Sequence, residues 1–139
     1  MTDDNKTIVQ RAMAALVETG DVDALAAFLS DDLVHHRPDG TTSTRAQWLA
    51  AVRAAAGPTT GMRIEVVHLL SDGDHVVVHT RRRLPGTGPE IVVVDVLRIA
   101  GGLIAEIWEI IEPVAQVTAN ATWWESAADR QPLDSTSAR

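Results

Sequence analysis

Along the N-terminal segment apolar residues recur four apart: Ile8, Ala12 and Leu16 run beside Val9, Met13 and Val17, and Gly20 closes the pattern. This spacing predicts an amphipathic helix with a wide buried face. Asp21 can cap a short second helix carrying Leu25, Phe28 and Leu29, which Asp31-Asp32 ends. Residues 33–36 then read as a short extended segment stopped by Pro38, with Asp39-Gly40 making the turn. A third helix is signalled by Thr44-x-x-Gln47, a capping-box spacing, followed by Trp48, Leu49, Val52 and Ala56 on one side and ended by Gly57-Pro58.

From Met62 to Glu112 the period changes to two, in runs at 62–70, 75–84, 91–99 and 103–112. Asp72-Gly73 and Gly101-Gly102 read as hairpin turns, and residues 85–89 as a longer connection. Consecutive antiparallel pairing is the simplest topology, so helices first and a curved meander afterwards make an α+β fold with the helices covering one face of the sheet. No internal repeat is visible. The pattern supports a single domain over residues 1–122 and a polar, partly disordered tail over 123–139, with Trp123 and Trp124 packing on the body or on a partner subunit.

Composition narrows the function. The 139 residues suit one domain, and 45% hydrophobic against 22% charged residues is the balance of a globular protein. Twelve basic against 19 acidic side chains leave a net charge of -7, which disfavours a phosphate-tracking surface and hence nucleic acid. With no cysteine there are no disulfides, thiolate nucleophiles or Cys-ligated metal centres, and a reducing compartment fits. The opening MTDDNKT is acidic where a secretion signal is basic, and no apolar run approaches the roughly 18 residues of a membrane span, so the expectation is a cytoplasmic protein without a membrane partner.

The last hairpin carries the chemistry. If Ala100-Gly101-Gly102 is a three-residue loop, Ile99 opposes Leu103 and the odd-numbered residues of both strands share a face. That face holds Val93, Leu97, Ile99, Ala105, Ile107 and Ile111, and with them Asp95 and Glu109. A two-residue loop would place Asp95 with Trp108 and mix polar and apolar side chains on both faces. Carboxylates among aliphatic side chains are costly unless paired or protonated, because burial and a neighbouring carboxylate both disfavour the charged form. Acid-base catalysts are found in such places; the structural alternative is an ion pair with an arginine or a place at the wet rim of the sheet.

The histidines are less specific. His75 and His79 lie four apart on a strand, roughly 13 Å, too far to share a metal ion. His35 and His36 are adjacent and must face opposite ways. His68 shares a face with Met62, Ile64, Val66 and Leu70, as a core histidine or as a pocket donor. No HExxH, Gly-rich phosphate loop or GxSxG is present, which leaves metal, nucleotide and serine-hydrolase readings without support.

The run from Val93 to Pro113 resembles the SnoaL-like branch of the NTF2-like superfamily, with its pattern D-x-F-R-x-x-x-G-x-I-x-E-x-W-D: Asp95, Arg98, Gly102, Ile104, Glu106 and Trp108 match, and Glu109 stands where Asp is usual. His36 and Pro38 match an H-N-P segment of the family, with Arg37 in place of Asn, and Ile107 replaces a frequent histidine. The resemblance spans roughly residues 6–114. It implies a cone-shaped α+β barrel, with three N-terminal helices packed on a curved, mostly antiparallel sheet around a deep apolar cavity, commonly in a homodimer.

It further implies an enzyme that needs no cofactor or metal and acts on a small, apolar, polyketide-like substrate, foremost as a polyketide cyclase closing a ring by aldol chemistry. The alternatives are an epoxide-opening enzyme, an isomerase or dehydratase, and a non-catalytic ligand-binding protein. On this reading Glu109 is the principal acid-base residue, Asp95 orients substrate or shares the proton, and His36 polarises a carbonyl. Phe28, Trp48, His68, Leu97 and Ile107 would contact substrate. Val94, Val96, Trp108 and Ile110 on the other face of the sheet would join two subunits.

Overall fold

The computed structural model describes residues 2–86, 90–113 and 121–122. Trp123, Trp124 and the proposed tail lie outside the described residues. Helices α1 (Thr2–Thr19), α2 (Val22–Ala26) and α3 (Arg45–Ala56) accompany strands β1 (Leu29–His36), β2 (Thr42–Thr44), β3 (Arg63–Asp72), β4 (His75–Arg83), β5 (Glu90–Ala100) and β6 (Leu103–Pro113). The caps are those expected. Asp21 accepts from the Asp23 amide, and Thr44 and Gln47 form a full capping box. One boundary differs: α2 ends at Ala26, and Leu29 begins β1 instead of extending the helix.

The six strands form one sheet in the order β2-β1-β6-β5-β4-β3, antiparallel throughout except that β1 runs parallel to β6. The sheet is curved but unclosed, with β2 and β3 as free edges, so the expected barrel is an open one. The helices cover its inner face. Val9 and Ala12 of α1 meet Val76 and Val78 of β4, Leu97 and Ile99 of β5, and Ile104 and Ile107 of β6 in a continuous core, which Leu25, Leu33 and Leu49 extend. Each fully buried aliphatic side chain stabilises the fold by about 1.5–3 kcal/mol relative to its exposed state. Val17, placed on the buried stripe by its spacing, is instead 47% exposed near the end of α1.

Two β-bulges decide which side chains face inward. In the β5–β6 hairpin Ala100 pairs with Leu103, so the turn is the two-residue Gly101-Gly102 and not the expected three-residue loop. Both glycines have positive φ, 59° and 77°, the combination a tight type I′ turn requires. Ile99 then pairs with Ile104, but Arg98 pairs with Glu106, leaving Ala105 as an extra residue. Beyond it Leu97 faces Ile107 and Asp95 faces Glu109. The bulge therefore restores the odd-numbered face that the wrong loop had suggested. In the β3–β4 hairpin Val66 pairs with Thr80 and His68 with His79, so Val67 is extra.

Candidate active site

Asp95 and Glu109 project from neighbouring strands into a cavity of about 100 Å³ on the inner face. Met13 and Leu16 of α1, Trp48 of α3, Leu97 and Ile107 wall it with apolar surface, and Arg82 enters from β4. Arg82 has the even-numbered parity of the buried Val76, Val78 and Thr80, so its side chain turns inward while Arg81 and Arg83 turn out. Its Nη2 donates to Asp95 Oδ2 at 3.5 Å and its Nε to Thr80 Oγ1 at 3.1 Å. The arginine partner foreseen as the alternative for a buried acid is thus present, although at a long distance.

The electrostatics separate the acids from ordinary surface carboxylates. Burial, reinforced by the charge of Glu109, pushes the Asp95 carboxyl up to about 7, against smaller opposing pulls from Arg82 and His35. Asp95 is poised to gain or lose a proton near neutrality.

The two adjacent histidines are placed opposite to expectation. His35 is buried, with Nε2 3.4 Å from Glu109 Oε1 and its ring tilted against Trp48 at a centroid distance of 5.3 Å. His36 lies on the outer face, where Nε2 meets Glu106 Oε2 at 2.6 Å and the ring stacks on Trp108 at 5.0 Å. The cause is strand parity: Leu33 is buried, so the residue two further on shares its face, and His35 pairs with the inward Ile107. His68 is also outside the cavity. The Val67 bulge turns it outward, where its Nδ1 lies 3.0 Å from that of His79, and Leu69 takes the inward position opposite Val78. Phe28 packs against the core without lining the cavity, whereas Trp48, Leu97 and Ile107 line it as anticipated. Arg82 and His35 escaped the sequence reading; the parity of Val76, Val78 and Leu33 was the signal that could have found them.

Among the described residues no group of three or more histidines or acids is arranged to hold a metal ion, and no helix is long and apolar enough to cross a membrane. The family model for the SnoaL-like domain matches residues 9–107. The chain belongs to this SnoaL-like family. The match contains Asp95, Arg82 and His35 and stops two residues before Glu109. No curated protein matches the chain. Among solved structures, AclR, a proposed hydroxylase from Streptomyces galilaeus, is 17% identical with a TM-score of 0.73 over 86% of this chain and 87% of that one. An LEH-like epoxide hydrolase of M. tuberculosis is 18% identical, TM-score 0.65, over 80% and 84%. IdmH of Streptomyces antibioticus, a proposed polyketide cyclase, is 25% identical, TM-score 0.62, over 73% and 89%. The SnoaL-like chain thus shares the NTF2-like fold of proteins with differing assigned chemistries.

Proposed function

We propose that this SnoaL-like protein is a cofactor-independent acid-base enzyme acting on an apolar, oxygenated substrate, and that its reaction is an aldol-type ring closure of a polyketide-like intermediate. The observation that carries the reading is the placement of Asp95 directly opposite Glu109 in an apolar cavity, with the Asp95 carboxyl raised to about 7. A general base works best with a pKa near the operating pH. Ionised Asp95 removes a proton from the carbon beside one carbonyl, that carbon bonds to the carbon of a second carbonyl, and the second carbonyl's oxygen takes up a proton. This exchanges the roles first assigned to the two acids. Glu109, held by His35, keeps Asp95 basic, and Arg82 faces the oxygen on which charge develops. The apolar walls suit a hydrocarbon-rich substrate, and the 25% identity to IdmH supports the cyclase reading over other acid-base reactions. The cavity is below the roughly 300–1,000 Å³ of ordinary ligand sites, so it accommodates the reacting end of such a substrate and not the whole.

Arg82 beside Asp95 favours a second reading, epoxide opening, in which the arginine polarises the ring oxygen and the carboxylate activates water. One experiment separates the two. The protein is incubated in D₂O with a medium-chain diketone or with an epoxide of similar size, and deuterium uptake, ring closure and diol formation are followed by NMR. The cyclase reading expects deuterium beside the carbonyl and a cyclic product, both reduced at least about 100-fold by Asp95→Asn. Diol from the epoxide with an inert diketone would replace it by the second reading. Binding of both probes without turnover would make the protein a ligand carrier.

A further inference from the structure

Arg82 lines two spaces at once. Inside, it borders the acid cavity; outside, it borders an open cleft of about 770 Å³ where β3 begins and β4 ends, floored by Val17, Met62 and Ile64. The cleft is rich in cations. Arg63, Arg81, Arg82 and Arg83 line it against Glu65 and Glu90, a local excess of positive charge in a chain whose net charge is -7. Glu90 is engaged by both Arg81 and Arg83, with Arg83 Nη2 at 2.6 Å from its Oε2. Arg63 has no ion-pair or hydrogen-bond partner among the described residues. It is also the cross-strand partner of Arg83. Like charges directly opposite on a sheet are destabilising; Glu90 offsets the charge of Arg83, whereas Arg63 has no counter-charge among the described residues. An oxyanion beside the pair would supply one.

Size points the same way. The inner cavity is too small for a whole substrate, the cleft falls within the range of ligand sites, and the side chain between them is held to Asp95 only by a 3.5 Å contact, at the limit of a hydrogen bond. We propose that the cleft binds an oxyanion head group, carboxylate or phosphate, on an apolar substrate, with Arg63 and Arg83 as its partners at the end of the sheet, around which the substrate's chain turns inward, and Arg82 as the movable partition past which the carbonyl end reaches Asp95. This names the substrate class of the acid-base site and rests on that reading.

Calorimetry with a medium-chain oxo acid, its methyl ester and the matching oxo-alkyl phosphate tests it. The intact protein should bind an anionic probe about tenfold or more tightly than the neutral ester, and 0.5 M salt should weaken that preference, as for charge-assisted contacts. The tighter of the acid and the phosphate identifies the head group. Arg63→Gln should bring the anion-to-ester ratio close to one, while Arg63→Lys, with its charge intact, should retain most of it. Arg82→Ala, which joins the two spaces, should tighten the ester several-fold. Equal binding of the ester and both anions, no binding of any probe, or a ratio indifferent to Arg63→Gln would overturn the head-group site, and an unchanged ester affinity in Arg82→Ala would overturn the partition. Turnover does not enter these readouts. Anion-selective binding without deuterium exchange would leave the head-group site standing and remove the acid-base reading; exchange without anion preference would do the reverse.

Discussion

His35 Nε2 lies 3.4 Å from Glu109 Oε1, and neither ring nitrogen of His35 has a hydrogen bond among the described residues. A buried imidazole with its polar atoms unspent costs stability unless another role retains it. On the acid-base reading proposed above, that role is electrostatic: His35 lies beside Glu109 and exerts its own downward pull on the Asp95 carboxyl.

His35→Gln should therefore lower kcat about tenfold or more and move the acid limb of the pH-rate profile to higher pH, because one opposing influence on Asp95 is gone. His36→Ala, on the other face of β1, should leave the profile in place. Rate measurements from pH 5 to 9 with whichever of the diketone and epoxide probes is turned over check both. An unshifted limb in His35→Gln would reduce His35 to a packing residue.

Asp95 makes folding depend on pH. Its carboxyl is raised from 3.8 to about 7, so between these values the folded chain holds a proton that the unfolded chain has released. The stability from this group is full below pH 3.8 and is lost as pH rises through about 7, a loss of up to about 4 kcal/mol by linkage. Asp95→Asn cannot ionise. It should melt higher than the wild type at pH 8, and the difference should shrink as the pH is lowered to 4.5, measured by calorimetry; a difference independent of pH would contradict the raised pKa.

Glu106 behaves in the opposite sense. His36 first, and Arg98 after it, hold its carboxyl below the usual range, so its contribution is present above pH 4.5 and fades as pH falls through the lowered value. Glu106→Gln should cost about 1 kcal/mol in chemical denaturation at pH 7, since the group is partly exposed and screened. Activity should be unaffected. A cost that persists unchanged at low pH would mean that shape and not charge is at work.

The outer face of the sheet carries Val94, Val96 and Trp108, half-buried, with Ile110 58% and Leu70 59% exposed. Contiguous apolar surface of this kind favours self-association, and a homodimer through this face is the expected state. Sedimentation equilibrium at micromolar concentration should give twice the 15.0 kDa chain mass, and Ile110→Asp should give the chain mass. A wild-type monomer would leave the patch to another partner.

The strands and helices were legible because their periods are: the stripe through Val9 and Ala12, the capping box at Thr44 and the alternation in β4 to β6 each point to one local answer. That Asp95 and Glu109 share a face was legible from the aliphatic company they keep; their direct opposition was not, because the expected three-residue loop pairs Asp95 with Ile107 and the bulge at Ala105 shifts the register. The positions missed are those where a single residue changes parity. Val67 turned His68 outward, and nothing in the run around it marks an unpaired residue. His35 was misjudged for a different reason: a motif match at His36 outweighed the buried Leu33 two positions before His35. Arg82 was hidden in a run of three arginines, where alternation and not composition separates the middle one. β2, with only three residues, and the parallel pairing of β1 with β6 depend on tertiary contacts that no local pattern encodes.

The unpaired Ala105 also bears on how such chains diverge. Because the glycine turn and the extra alanine together set the parity of everything downstream, a three-residue turn without the bulge leaves Glu109 facing Asp95 in a chain of the same length, whereas either change alone turns the acid away. A turn of different length is therefore compatible with the same acid pair and the same chain length, with only the residues from Ile99 to Ala105 changing partners. Equivalence among these proteins is better traced by which face a residue occupies than by its offset from the turn.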